Sequence, residues 1–304
     1  MRAAVLHEVG APLSLEDVPE PEAGDGRTVV DVKAAGINFA DVLVASGNYP
    51  QPPELPAILG NEVAGDVGDR RVVGFVRQSG GGYAERAAVE DEWLFDLPAG
   101  ASYAEGAAFL TTYLTAWIPL VRQARIHNGS NVLVTAAAGG VGTAAIQLGV
   151  FAGANVTAAA GTEEKRELAR SVGAVRTVTY EEIADLDDID VALDPVGGPV
   201  YAACLQALRP LGVAVAIGFA GGAWEPVDPA RLVGRNTSAV GFYLGRLMAF
   251  RPGLVQEETR ELLALWRRGL IRPVVGAQYP LDEVNDALAL VGSRQSTGKV
   301  VLVP

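Results

Sequence analysis

The feature that most constrains this 304-residue chain is the run VTAAAGGVGTAAIQLG at residues 134–149. The segment NVLVTA, which overlaps its start, has the length and apolar content of a buried strand, and Gly140 to Phe151 predicts a helix. The turn between this strand and this helix contains Gly139, Gly140 and Gly142. The six residues from 137 to 142 follow a G-x-G-x-x-G pattern in which Ala137 replaces the first glycine. Glycines here let a pyrophosphate approach main-chain N–H groups that a side chain would block. The pattern therefore predicts a dinucleotide-binding turn, although a tight turn in any α/β domain could also use it.

From about Ser130 onwards, strand-like and helix-like segments alternate. In order they are the strand NVLVTA, the helix Gly140 to Phe151, the strand NVTAAA, the helix TEEKRELARSVG, the strands VRTVTY and IDVALD, the helix PVYAACLQALRPLG and the strand VAVAIGF. Such alternation is typical of parallel βαβ units, and Thr162 is the predicted N-cap of the second helix. The first hundred residues, rich in Gly, Pro and β-branched residues, instead predict an irregular β domain. Two helices, Glu257 to Arg268 and Leu281 to Val291, and a strand KVVLV close the chain and fit either region.

The strand after the glycine turn indicates which nucleotide would bind. NAD binders carry an Asp or Glu about 20 residues after the glycines, where it bonds the ribose 2′-hydroxyl. Here that position reads Gly161-Thr162, with no carboxylate, and Lys165 follows within one helical turn. A cation beside such a strand end suits a 2′-phosphate. The sequence favours NADPH over NADH, although Glu163 and Glu164 oppose a phosphate and Lys165 could be an ordinary solvated helix residue.

Charge, cysteine and histidine content exclude several classes of protein. The net charge of -12 disfavours nucleic acid and anionic membranes as partners. No apolar run reaches the roughly 18 residues of a membrane-spanning helix. Cys204 is the only cysteine, and His7 and His127 are the only histidines, so the sequence predicts neither a disulfide nor a metal site. The opening MRAAVLHEVG lacks the features of a signal peptide, which predicts a strand there and a cytoplasmic protein.

Several motifs, taken together and in order, resemble one family. They are GINFADVLVASGNYP, LPAILGNEVAG, GGYAERAAV, YLTAW, AAAGGVG and TGKVVLV. In combination they are similar to the zinc-free quinone oxidoreductases of the medium-chain dehydrogenase/reductase superfamily, over essentially the whole chain. The resemblance implies an α/β protein with a GroES-like catalytic domain (1–118, completed by 250–304) and a Rossmann domain with a doubly wound parallel sheet (119–249). It also implies an active cleft between the domains and a homodimer that joins Rossmann sheets edge to edge.

The resemblance further implies which residues contact the cofactor. The pyrophosphate would lie against Ala138, Gly139, Gly140, Val141 and Gly142, and the adenosine phosphate against Gly161, Thr162, Lys165 and Tyr180. The nicotinamide would lie near Thr115, Gly218, Phe219, Phe242 and Leu244, with Lys299 close to a cofactor ribose or the pyrophosphate. Tyr180 and the two phenylalanines could instead be ordinary core residues.

The chain departs from the zinc-dependent relatives at two metal-ligand positions. Those relatives carry a cysteine where this chain has Asn38, and Gly-His-Glu where it has Gly60-Asn61-Glu62. The comparison agrees with the cysteine and histidine count in predicting no zinc. In addition, GNEVAGDVGDRRVVGFV runs almost directly from the Glu62 motif to a Gly-Asp-Arg motif, where most relatives insert a longer hairpin. The first domain should therefore be smaller along one edge.

Without a metal, the predicted chemistry depends on cofactor hydride and on protein hydrogen-bond donors that stabilise the oxygen gaining charge. This predicts reduction of a small-molecule quinone or α,β-unsaturated carbonyl compound. Asn38 is the candidate for polarising or orienting the substrate or cofactor, and Asp41 could share its face of a helical turn. Each also has a structural interpretation, Asn38 as a bond to loop backbone and Asp41 as a helix cap or ion-pair partner.

Tyr49 coincides with the tyrosine that enoyl thioester reductases of the same superfamily use as a proton donor. It could equally be a loop aromatic with no chemical part. Leu43 stands where some quinone reductases carry a tyrosine, which makes the quinone assignment less secure. An enoyl thioester reductase and an NADPH-binding sensor with little turnover therefore stand as alternatives.

Overall fold

The computed structural model describes residues 1–24, 26–50, 52–76 and 81–304. They form two units, Met1–Thr111 with Arg272–Pro304, and Thr112–Ile271. The second unit is longer at both ends than the Rossmann domain of 119–249 expected from the sequence. The reason is visible at Glu258, a buried residue beyond position 250 whose carboxylate accepts hydrogen bonds from Trp117 Nε1 (2.8 Å) and Arg122 Nε (2.6 Å).

The helices and strands follow one another in three groups. The first group is β1 (Arg2–Leu6), β2 (Ser14–Asp17), β3 (Arg27–Ile37), α1 (Phe39–Ala45), β4 (Ala57–Ile58), β5 (Glu62–Val67), β6 (Arg70–Phe75), β7 (Arg86–Glu90), β8 (Leu94–Asp96) and α2 (Tyr103–Ala107). The second is α3 (Leu110–Ile118), β9 (Asn131–Val134), α4 (Gly140–Phe151), β10 (Asn155–Ala159), α5 (Glu163–Ser171), β11 (Arg176–Val178), β12 (Ile189–Asp194), α6 (Gly198–Ala207), β13 (Leu208–Ala216), α7 (Pro229–Arg235), β14 (Ser238–Gly241), α8 (Leu244–Phe250) and α9 (Pro252–Arg267). The third is β15 (Val275–Pro280), α10 (Val284–Gly292) and β16 (Lys299–Val303).

The first unit is built on two sheets whose strand pairs are antiparallel except for the parallel pair β15–β16, in agreement with the predicted irregular β domain. One sheet has the order β15-β16-β3-β5-β6-β8, with β7 also paired to β3, and a small sheet has the order β2-β1-β4. The closing strand β16 runs antiparallel to the end of β3, with Val300 opposite Ile37. This register places Lys299 beside the residue that follows β3, which is Asn38.

The shortened segment after Glu62 is a tight hairpin. Strands β5 and β6 pair antiparallel from Glu62 opposite Phe75 to Val67 opposite Arg70, so only two residues form the turn. Gly68 in that turn has a φ of 57°, which suits a two-residue hairpin loop. The hairpin thus joins the Glu62 motif directly to the next strand.

The second unit contains the predicted doubly wound sheet. Its six strands are all parallel and lie in the order β11-β10-β9-β12-β13-β14. This is the strand order of a Rossmann fold, whose direction of winding reverses between β9 and β12. The predicted α/β class with a doubly wound parallel sheet is therefore confirmed.

The helix predicted over PVYAACLQALRPLG is wrong in its second half. Helix α6 ends at Ala207, and Leu208 to Gly212 already belong to β13. Pro210 cannot donate to a helix ladder, and Leu211 has a φ of 71°, so the helix cannot continue through this segment. The two remaining predicted helices, Glu257 to Arg268 and Leu281 to Val291, correspond to α9 and α10 with shifted starts.

Each unit has its own apolar core. In the first unit, buried residues of β3, β5 and β16 pack with α10 around the fully buried Tyr83. In the second, residues of β9, β12 and β13 pack with α6, where Cys204 is fully buried and behaves as a small apolar side chain. Within the part of the chain that the structure describes, no helix combines the length and the apolar character needed to cross a membrane.

Candidate functional site

The glycine turn lies at the carboxyl end of the central strand of the parallel sheet. Helix α4 begins at Gly140, and its N-cap Gly139 makes no side-chain capping bond. The first N–H groups of a helix have no partner within the helix, so they are available to an anion. A Cβ on Gly142 would lie 2.7 Å from the Ala137 Cα, which shows that this glycine allows the helix to pack closely on the turn. Ala138 and Val141 complete the turn, so the structure brings the predicted pyrophosphate residues together.

The neighbouring strand β10 ends at the residues predicted to hold the adenosine phosphate. Gly161 is exposed, and a Cβ on it would lie 3.7 Å from Tyr180 Cε2, so the tyrosine ring borders the strand end. Thr162 caps α5 as predicted, its hydroxyl accepting a hydrogen bond from the Lys165 N–H at 3.3 Å. Lys165 is half-buried in the first turn of that helix.

The two acidic residues of the same turn behave differently from each other. Glu163 pairs with Arg166 at 2.9 Å and also with Arg170, further along the helix. Arg166 in turn donates to the Ala160 carbonyl at 3.0 Å. The negative charge of Glu163 is thus partly compensated by two guanidinium groups, whereas Glu164 is exposed to solvent.

The residues predicted near the nicotinamide lie in three places within the second unit. Thr115 is a half-buried residue of α3, and Gly218 and Phe219 lie in the loop after β13. Phe242 follows β14 directly, and Leu244 is the first residue of α8. The Phe219 ring lies 4.7 Å from the Trp224 ring, centroid to centroid. The Phe242 N–H donates to the Ala216 carbonyl at 3.0 Å, which holds the end of β14 beside that of β13.

Sequence analysis missed Asp194, the last residue of β12. It is fully buried, and its carboxylate accepts hydrogen bonds from Thr135 Oγ1, the Val196 N–H (3.1 Å) and the Gly197 N–H (2.7 Å). Burial raises the pKa of Asp194, and these donors oppose the rise. Because Thr135 follows β9, Asp194 bridges the two strands between which the sheet reverses direction. Asp194 thereby holds the turn that follows β12. In that turn the carbonyls of Pro195 and Val196 accept hydrogen bonds from N–H groups of the Gly218–Gly222 loop.

A cavity of about 620 Å³ opens in the second unit where β13 and β14 end. Its walls include Ala216, Gly241 and Phe242, together with Trp224 and Tyr243. This volume is within the range of about 300–1,000 Å³ that small-molecule sites occupy. The predicted residue Phe242 therefore lines a cavity of suitable size for a ligand.

In the first unit, Asn38 belongs to a buried polar cluster, which we define as Asn38, Asn61, Glu62 and Lys299. Lys299 Nζ donates to Glu62 Oε1 and to Asn38 Oδ1, both at 2.5 Å. Asn38 Nδ2 donates to Glu62 Oε1 at 2.9 Å and to Asn61 Oδ1 at 3.1 Å. The side chains of Lys299 and Glu62 are 4% and 1% exposed, so a complete ion pair is buried here.

The backbone is shaped to admit this ion pair. The Thr111 N–H donates to Glu62 Oε2 at 2.9 Å, which satisfies the second carboxylate oxygen. A Cβ on Gly36 would lie 2.7 Å from Glu62 Oε1, so glycine leaves room for the carboxylate beside β3. Glu62 thus has donors on both oxygens, as a buried carboxylate requires.

Asp41 lies next to the cluster and acts as the helix-capping residue that its position suggests. Its Oδ2 accepts from the Asn38 N–H at 2.7 Å and from the Tyr83 hydroxyl at 2.8 Å. Burial raises the pKa of Asp41 to about 6, against the lowering effect of these two bonds and of the Lys299 charge. Burial also raises the pKa of Tyr83 well above its ordinary value, with the Asp41 charge as a further cause.

Tyr49 lies in the bend after α1 and is half-buried, so it remains a candidate on position alone. Sequence analysis did not select Asn61, Glu62 or Tyr83 as functional, although the motifs LPAILGNEVAG and GGYAERAAV contain them. What distinguishes them is a set of contacts across long sequence separations, such as the 42 residues between Asp41 and Tyr83. A buried carboxylate paired with a lysine 237 residues away leaves no local pattern.

Comparison with known proteins identifies the family of this chain. A family model described as zinc-binding dehydrogenase matches residues 140–266, and one described as alcohol dehydrogenase GroES-like domain matches residues 24–72. A quinone oxidoreductase-like protein 2 homolog of Nematostella vectensis is 36% identical over 99% of this chain and 88% of its own length. The chain belongs to the quinone oxidoreductase family of the medium-chain dehydrogenase/reductase superfamily.

Solved structures of this superfamily agree over the whole chain. The quinone oxidoreductase of Thermus thermophilus, solved alone and with NADPH, is 40% identical with a TM-score of 0.92, and all of both chains is covered. A mycobacterial protein complexed with NADPH is 29% identical with a TM-score of 0.91, again with complete coverage of both. The chain is an oxidoreductase of this superfamily by membership.

The description of one family model implies zinc, and the residues present do not fit that metal. Zinc prefers thiolate and imidazole ligands. The cluster offers two asparagine amides and one carboxylate whose Oε1 is already bonded to an ammonium group. Among the described residues, no group of three or more His, Cys, Asp and Glu side chains could hold a metal ion. We therefore assign no metal-dependent step to these residues.

Proposed function

We propose that this protein is an NADPH-dependent oxidoreductase that reduces quinones or α,β-unsaturated carbonyl compounds without zinc. The observation that carries the proposal is the amino terminus of α4, which presents unpaired N–H groups beside a strand end without a carboxylate. Family membership supports it, since two similar proteins were solved with NADPH.

The preference for NADPH rests on the start of α5. The position where NAD-binding proteins use a carboxylate is Gly161, which is exposed and bears no side chain. Lys165 lies one turn into the helix, and the opposing charge of Glu163 is engaged by Arg166 and Arg170. These charges favour a 2′-phosphate over a free 2′-hydroxyl.

Bound NADPH would supply a hydride, and the chain's own residues would position the reactants and stabilise the charge that develops on the substrate oxygen. Asp194 holds the turn that supports the Gly218–Gly222 loop. The cluster of Asn38, Asn61, Glu62 and Lys299 holds its amide groups in fixed orientations around a buried ion pair. A hydrogen-bond donor preorganised in this way is what hydride addition to a conjugated carbonyl compound needs.

The test is a substrate panel. Purified protein, NADPH and a series of quinones, enones and enoyl thioesters are mixed, and the loss of reduced-cofactor absorbance is followed with and without a zinc chelator. We expect turnover of quinones or enones that the chelator does not reduce. Turnover confined to enoyl thioesters would instead identify an acyl-thioester reductase, and NADPH binding without turnover would identify a sensor.

We further propose that the protein is a homodimer joined at β14. This strand is one of the two edge strands of the parallel sheet, the other being β11, and an edge strand is a ready site for pairing with a second copy. The exposed apolar side chains Leu211 and Val233 lie on elements adjoining that edge. Light scattering should give twice the chain mass of 31.6 kDa, and a monomer at micromolar concentration would contradict the proposal.

A further inference from the structure

The hydrogen-bond chemistry of the cluster fixes the orientation of the Asn38 amide. An ammonium group can only donate, and an ionised carboxylate can only accept. Lys299 Nζ lies 2.5 Å from one end of the amide, and Glu62 Oε1 lies 2.9 Å from the other. The end facing Lys299 must therefore be the oxygen, and the end facing Glu62 must be the nitrogen.

This orientation uses every polar hydrogen of Asn38. One amide hydrogen goes to Glu62 Oε1 and the other to Asn61 Oδ1. The backbone N–H goes to Asp41 Oδ2 at 2.7 Å. Asn38 can donate to a substrate only by breaking a bond inside the cluster, so the sequence-based candidate is poorly suited to polarise a substrate oxygen.

The orientation of Asn61 follows from that of Asn38. Because Asn38 presents a nitrogen, the atom of Asn61 that it meets at 3.1 Å must be an oxygen. Asn61 Nδ2 then points away from Asn38, and it makes no hydrogen bond to any residue within the described ranges. Asn61 is half-buried, in contrast with the deeply buried Glu62 and Lys299. Its two amide hydrogens are thus oriented and available.

A second unused polar group lies nearby. Thr111 Oγ1 is buried without a hydrogen-bond partner among the described residues, while the N–H of the same residue donates to Glu62 Oε2. A buried hydroxyl without a partner is costly, and it commonly marks a place where water or a ligand oxygen binds. This hydroxyl is independent of Asn61 and is a second polar group at the cluster that can bond a ligand oxygen.

We propose that Asn61, and not Asn38, is the catalytic residue that donates to the substrate oxygen. The inference rests on the proposed function. When hydride adds to the electrophilic carbon, a new C–H bond forms and a π pair moves to the oxygen. Asn61 Nδ2 donates to that oxyanion while the cofactor is left oxidised, and a proton from water completes the reduction. Asn38 is a positioning residue. Lys299 and Glu62 fix the orientation of its amide, and its Nδ2 then fixes the orientation of the Asn61 amide.

The experiment compares Asn61→Ala and Asn61→Asp with the wild-type protein. Asn61→Asp keeps the shape and the acceptor for Asn38 but removes the donor. Asn155→Ala is the matched control, because Asn155 is an exposed asparagine whose side chain donates to Asn131 at 3.2 Å, away from the cluster. We expect both Asn61 variants to lose about 100-fold in kcat with the best quinone or enone, which is the usual effect of removing one oxyanion donor. The NADPH dissociation constant should stay within about twofold of wild type, and the control should match wild type throughout.

A second measurement does not require turnover. 4-Nitrophenol is titrated into the protein with NADP⁺ bound, and its ionisation is read from the visible absorbance of the phenolate. We expect the wild-type protein to bind the phenolate, and Asn61→Asp to bind it at least tenfold more weakly. Unchanged phenolate affinity and turnover in the Asn61 variants, an equal loss of NADPH affinity, or no phenolate binding to wild type would overturn the inference. An inactive wild-type protein that binds the phenolate through Asn61 would instead refute only the proposed substrate class.

Discussion

Replacing Lys299 by Met would expose how strongly the first unit depends on its buried ion pair. The methionine side chain fills similar space, but it removes the two hydrogen bonds that Nζ makes to Glu62 and Asn38. Hydrogen bonds to charged groups contribute about 1.5–3 kcal/mol each, so the two together predict a loss of about 3–6 kcal/mol. Breaking a buried ion pair by removing one partner gives a similar figure, about 3–5 kcal/mol.

The assay is urea denaturation of Lys299→Met, Glu62→Gln and the double variant, followed by circular dichroism. With a slope of about 1–3 kcal/mol per molar urea, each single variant should lower the unfolding midpoint by more than about 1 M. The double variant should be destabilised by clearly less than the sum of the two, because neither charge is then left buried alone. Glu62→Gln alone should lower the stability because the NH2 group of the glutamine must face another donor. In one orientation that donor is the Thr111 N–H, and in the other it is the Lys299 ammonium with the Asn38 amide.

The control is a solvent-exposed ion pair in the same unit. Arg70 and Asp96 are bonded at 2.7 Å, yet their side chains are 60% and 65% exposed. Arg70→Met should therefore cost less than about 1 kcal/mol. Equal effects of Arg70→Met and Lys299→Met, or strictly additive losses in the double variant, would refute the reasoning that burial makes the cluster a coupled unit.

Three further predictions concern single side chains. Lys165→Ala should weaken NADPH binding about 10- to 100-fold and leave NADH binding within about twofold, as measured by fluorescence titration, since only NADPH carries the 2′-phosphate that the ammonium group would bind. Gly142→Ala should weaken NADPH binding at least about tenfold and cost about 1–3 kcal/mol in urea titrations, because its Cβ would meet the Ala137 backbone at 2.7 Å. Burial raises the pKa of Asp41 to about 6, above the value of about 3.9 in an unfolded chain, so the folded protein keeps a proton that the unfolded chain releases. The free energy of unfolding should therefore fall as the pH rises from about 4 through 6. In Asp41→Asn this fall should be smaller than in wild type by about 3 kcal/mol. The same pH dependence in wild type and variant would contradict the prediction.

The sequence predicted the parallel sheet well because its signals are local. The helix Gly140 to Phe151 has the predicted bounds, and the strands IDVALD and KVVLV coincide with β12 and β16. The N-cap at Thr162 was also confirmed. Glycines at a turn, a capping threonine and short apolar runs act within a few residues, so they can be identified from the sequence alone.

Elsewhere the decisive interactions are not local. The helix predicted through Gly212 ends at Ala207, since Pro210 interrupts it and β13 pairs with β12 instead. Helices α7 and α8 have only seven residues each, about two turns, and the sequence did not predict them. The contribution of Asp194 depends on Thr135, which lies 59 residues earlier in the chain.

The cluster shows why a motif alone does not reveal which amide hydrogens are in use. The sequence identified Asn38 because it occupies a position where zinc-dependent relatives have a ligand, and position says nothing about which hydrogens are in use. That depends on Lys299, whose ammonium group arrives on the last strand and determines which end of the Asn38 amide faces inward. In this orientation every N–H hydrogen of Asn38 is bonded to a described residue, which is why we propose the amide of Asn61 as the donor. Under this proposal a lysine that is remote in sequence determines which amide can donate, and that relation is found only in the folded chain.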